Sequence, residues 1–120
     1  MKKTFITIIA VLMTLSLSAQ GRSILLEENF NSVMFPTGWQ KMGDGTSNWH
    51  ISQSNLAGGD FNELKLDWTP IFNGVARVVT PPLDLTGMQS VGMSFVHFFN
   101  NFDGEHTLSI ETSSDGGNTW

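Results

Sequence analysis

The chain has no cysteine among its 120 residues. Disulfide staples and thiolate chemistry are therefore excluded, and a small fold must draw its stability from apolar packing, bound metal or neighbouring modules. Positive charge is also scarce: Lys and Arg together number six, and two of them, Lys2 and Lys3, stand at the extreme N-terminus. A chain so poor in basic residues lacks the patch that nucleic acid requires. Beyond residue 20 there is no apolar run long enough for a membrane span and no stretch with helical amphipathic spacing. Zinc-hydrolase HExxH and serine-hydrolase GxSxG motifs are missing as well.

What is present begins with a tripartite leader. Lys2 and Lys3 precede a mostly apolar stretch, residues 5–17, and the small residues Ser16, Ser18 and Ala19 precede Gln20. This is the pattern of a secretory signal peptide over residues 1–19, shorter than a membrane span. Leu17 at the −3 position is larger than usual, so the cut can fall a residue or two away, and an uncleaved anchor is the competing reading. After removal of 1–19, four basic residues face eleven acidic ones, a formal charge of −7. That balance suits solubility or divalent cations on an exported chain. The mature chain is expected to be secreted or held at the cell surface.

Residues 20–120 read as one all-β domain. Gly, Asn, Asp, Ser and Thr interrupt it at short intervals, and its apolar residues come in short alternating runs. Strands are predicted over 24–28, 49–52, 63–68, 74–80, 89–100 and 106–112. Turns or loops are predicted over 35–39, 42–48, 53–62, 83–87 and 113–118. Pro81 and Pro82 end the fourth strand because neither has an N–H to donate. The longest candidate, 89–100, places Val91, Met93, Phe95, His97 and Phe99 on one face and Val96 and Phe98 on the other, as in a central strand of a layered sandwich. At the end of the chain, Leu108, Ile110 and Thr112 alternate with polar residues. The Asp-Gly-Gly turn follows, and only Thr119 and Trp120 remain for the returning arm. The expectation is the front part of a larger β domain, an incomplete antiparallel sandwich.

Three blocks carry a resemblance: LEENFNSVMFPTGW, GVARVVTPPLDLTGMQSVGMSFVHFF and HTLSIETSSDGGNTW. In order and spacing they resemble the cleaved-adhesin and choice-of-anchor J domains of bacterial surface proteins, which are similar in fold to MAM domains. Such modules are frequent in exported proteins of Bacteroidetes-type bacteria. The resemblance implies a jelly-roll β-sandwich of the concanavalin or galactose-binding kind, and implies that further strands of that domain would follow residue 120. It also implies a calcium site. Glu28 matches the acid before x-Phe, Asn31 stands where an acid is commoner, and Asp44 lies in the Asp/Gly-rich loop, while the acid of the family's closing strand has no counterpart.

Other candidate sites are weaker. His50, His97 and His106 show no metal-ligand spacing, and His97, between Phe95 and Phe99, reads as a core histidine. Asp67 with Asp84, or Glu105 with Glu111, read as exposed carboxylates rather than a glycosidase pair. Of the tryptophans, Trp39 and Trp120 follow turns and read as packing anchors, with Trp49 on a strand. Trp68, followed by Thr69 and Pro70 and joined by Phe72, is the candidate for an exposed ligand contact. The function expected is a non-catalytic adhesion or recognition module for a protein or glycan ligand, contacted through loops 53–62, 68–73 and 100–105. Two alternatives are an accessory domain of a secreted peptidase or glycosidase and a stand-alone carbohydrate-binding module.

Overall fold

A computed structural model describes residues 22–101 and 104–120. The predicted leader, 1–19, lies outside the described residues, as do positions 102 and 103 of the expected loop 100–105. The described chain contains β-strands, one short 3-10 turn and no α-helix, so the fold class is all-β and antiparallel. No helix among the described residues is long and apolar enough to cross a membrane.

Four strands form two ribbons. Strand β1 (Gln40–Gly43) pairs with β4 (Ala76–Val79), with Gln40 opposite Val79 and Gly43 opposite Ala76. Strand β2 (Trp49–Ser52) pairs with β3 (Glu63–Leu66), with Trp49 opposite Leu66 and Ser52 opposite Glu63. The β2–β3 connection is the predicted loop 53–62, and one carboxylate organises it. Glu63 accepts hydrogen bonds from Ser54 Oγ at 2.5 Å, Leu56 N at 3.2 Å and Ala57 N at 3.0 Å. These donors, Ser54 first, hold its carboxyl below the ordinary range.

Strands β2, β3 and β4 fall where alternation predicts them, with β3 and β4 shorter. Strand β1 was not expected, because its second half, Met42-Gly43, reads as the start of a loop. It forms because Gly43, at φ 81°, lets the chain close on the Val75 carbonyl, and the amide of Asp44 donates to that same oxygen at 2.9 Å. The Pro36–Trp39 turn is present, with Trp39 N donating to Pro36 O at 3.3 Å and Gly38 at φ 83°.

Three predicted strands form no ladder: 24–28, 89–100 and 106–112. Alternation fixes which side chains share a face, but a ladder also needs a neighbouring backbone in register. None of the described segments offers one to these three. The central-strand expectation for 89–100 is corrected accordingly. Val91, Met93, Phe95, Val96, Phe98 and Phe99 are all exposed, between 44% and 74%. His97 is exposed too, 5.5 Å from the Phe95 ring, and is not a core residue. No hydrophobic residue among those described is fully buried; two-stranded ribbons have too little area to cover one. The last segment is nevertheless tied to β4. Arg77 Nε meets Glu111 Oε2 at 2.9 Å, and its guanidinium lies 5.6 Å from the Trp120 ring.

Candidate functional site

The one buried residue among those described is polar. Asn48, 3% exposed, ends the 3-10 turn Thr46–Asn48 and immediately precedes β2. Its Nδ2 donates to Asp67 O and to Pro70 O, each at 2.8 Å. Its Oδ1 accepts from Ser47 Oγ at 3.3 Å. Its backbone is equally occupied, with N donating to Gly45 O at 2.9 Å and O accepting from Asp67 N at 3.1 Å. Burial of a polar group costs little when its donors and acceptors are met, and here they are.

These bonds shape the segment that leaves β3. Asp67 and Pro70 are held from within, and the two residues beside them, Trp68 and Ile71, project outward at 74% and 78% exposure. The far side of the loop is packed. Phe72 is half-buried over Gly45, where a Cβ would fall 2.5 Å from its ring, and Asp44 covers Gly74. Asp67 itself is engaged, with Lys65 Nζ at 2.9 Å and His50 Nε2 at 3.6 Å. An aromatic and an aliphatic side chain are thus both exposed on a loop held at Asp67 and Pro70. That arrangement suits the non-polar face of a ligand, which rigid aromatic side chains bind at low entropic cost.

Of the two residues named for ligand contact, Trp68 stands free on the surface, whereas Phe72 is a packing residue that supports the loop. Ile71 was missed from the sequence, as was Asn48. An isolated Ile next to Pro70 carries no periodic signal, and an Asn in a Gly/Ser-rich stretch reads as solvent-facing loop.

The residues named for calcium are not brought together. Glu28 Oε1 accepts from Phe30 N at 2.7 Å, and the amide of Asn31 donates to Asn29 Oδ1 at 3.0 Å, both within one exposed turn. Glu28 also lines, with Leu26, Phe30 and Trp39, a slot of 160 Å³ beyond the start of β1. Asp44 lies past the other end of β1, against Gly74. Among the described residues, no group of three or more His, Asp or Glu is placed to hold a metal ion.

The other tryptophans have their own partners. Trp39 meets Phe30 edge to face at 5.3 Å, and the Trp49 carbonyl accepts from Lys41 Nζ at 2.5 Å. Of the carboxylates considered as acid–base pairs, Asp67 is bound to Lys65, Glu111 to Arg77, and Asp84 accepts the Thr86 amide at 2.9 Å. The terminal turn closes on Asp115, which accepts from Asn118 N, Thr119 N and Thr119 Oγ1 and from Ser113 Oγ at 2.7 Å. These bonds, those from Thr119 foremost, hold its carboxyl far below the usual range. Compared with known proteins, the chain matches no family model, no curated protein and no solved structure.

Proposed function

We propose that this chain is a non-catalytic recognition module of the adhesin-like jelly-roll type, exported to the cell surface or the medium. In this reading it binds a protein or glycan ligand through the loop tip formed by Trp68 and Ile71. The observation that carries the reading is the 74% exposure of Trp68 together with the 78% exposure of Ile71 on a loop whose backbone is held at Asp67 and Pro70. Apolar side chains exposed in this way, with their backbone held, are a common form of contact hot spot. Support from the rest of the chain is compositional: a strongly acidic mature chain, no cysteine, a leader-like N-terminus and an all-β fold.

The test is capture of the purified protein on glycan arrays and on immobilised extracellular proteins, with calcium and with a chelator. Trp68→Ala is expected to weaken capture by roughly 30-fold, the loss of about 2 kcal/mol typical of a truncated hot spot. Ile71→Ser should weaken it less. Capture unaffected by both substitutions, or no capture on either surface, would end the proposal. Chelator-sensitive capture would bring Glu28 and Asn31 into the binding account.

A further inference from the structure

The segment after β3 has no ladder partner along residues 67–74, and such connections are ordinarily among the softer parts of a fold. Here a single side chain reaches inside it. The Asn48 side-chain amide supplies two hydrogens from one nitrogen to two carbonyls, Asp67 O and Pro70 O, while the Asn48 backbone carbonyl takes the Asp67 amide. Trp68 lies between the two clamped carbonyls in sequence, and Ile71 immediately follows the second. The side chain's part is the two donors on one nitrogen: aspartate would turn an oxygen toward the carbonyls, and serine is too short.

We propose that Asn48 is a positioning residue for ligand contact, holding residues 67–70 in place so that Trp68 and Ile71 meet the ligand already arranged. The proposal rests on the reading that these two side chains make the contact. Its physical content is preorganisation. An unanchored loop must be ordered when the ligand arrives, and that cost comes out of the affinity; a loop ordered during folding has already met it. Burial of Asn48 sharpens the effect, since the bonds to Asp67 and Pro70 are shielded from competing water.

The experiment is ¹⁵N relaxation on the whole protein, reading the amides of Asp67 and Ile71 and the indole N–H of Trp68. In the native chain these groups are expected to be as ordered as the β2–β3 strands, with order parameters of about 0.85. In Asn48→Asp they are expected to fall below about 0.6 while the β1–β4 amides hold their values. Low order at all three groups in the native chain overturns the proposal, and that measurement needs no variant. So does undiminished order in Asn48→Asp or, should that variant not fold, in Asn48→Ser. Capture on the arrays used for Trp68→Ala separates the two claims. If Trp68→Ala binds normally while Asn48→Asp loosens the loop, the contact reading fails and the clamp stands. Should Trp68→Ala lose capture while Asn48→Asp keeps both order and affinity, the clamp alone is refuted.

Discussion

Residues 40–79 and residues 89–112 both carry strand-forming sequence, yet every described ladder lies in the first stretch. The contrast runs against the strength of the local signal. Residues 89–100 alternate more regularly and are richer in apolar side chains than Gln40–Gly43, which reads as half loop. What separates them is partnership. In 40–79 each strand has a facing backbone, and the connections are closed by specific groups: Gly43 under Val75, Glu63 across loop 53–62, Asn48 inside 67–70. In 89–112 the side chains alternate without a described neighbour in register, and large apolar groups stay exposed. A strand pattern specifies an extended segment and its faces; it leaves the partner open.

The contrast is most severely broken by attacking the closure of β1. Gly43 has φ 81°, and a side chain there would run into the Val75 carbonyl. Gly43→Val is expected to cost at least about 2 kcal/mol, abolishing protection of the β1–β4 amides in hydrogen exchange. Protection surviving at Met42 and Arg77 would show that this closure is not what pairs the ribbon.

A smaller effect is expected on the unpaired side. Val96 and Phe98 share one exposed face, and 89–100 contains no Asp, Glu, Lys or Arg to discourage association. Phe98→Lys should lower concentration-dependent self-association in sedimentation while leaving exchange protection in β1–β4 unchanged. Association that persists undiminished would place its origin elsewhere, and altered protection would mean that the two regions are energetically joined.

The subtlest comparison uses acid. Because Glu63 titrates below its ordinary value of 4.5, its hold on loop 53–62 is complete above that pH and fades as pH falls through the lower folded value. Exchange at the Leu56 and Ala57 amides is expected to become less protected in that acid window, whereas the 89–100 amides, with no carboxylate in their segment, should follow only the intrinsic pH dependence. A Glu63→Gln chain showing the same acid response would assign it to another group.

Much of the organisation was legible in sequence. Alternation located β2, β3 and β4; Pro36-Thr37-Gly38 located the turn before β1; and the Asp-Gly-Gly run located the terminal turn around Asp115. These features depend on neighbours in the chain, where steric rules and short-range hydrogen bonds act without reference to the rest of the fold. The candidate site was half legible. Trp68 stood out as a tryptophan ending the alternation of 63–68, followed at once by Thr69 and Pro70, but Phe72 was placed beside it as a contact and is the packing side of the same loop.

Sequence alone therefore determined an antiparallel β composition, an acidic balance of charge and the turns set by glycine and proline. Only the tertiary structure decided that 89–100 has no described partner, that Glu28 and Asp44 lie at opposite ends of β1, and that Asn48 is buried. The reason is range: turn and strand propensities are written within a few residues, whereas the bonds of Asn48 reach 19 and 22 residues along the chain and exist only once β2 and β3 have paired.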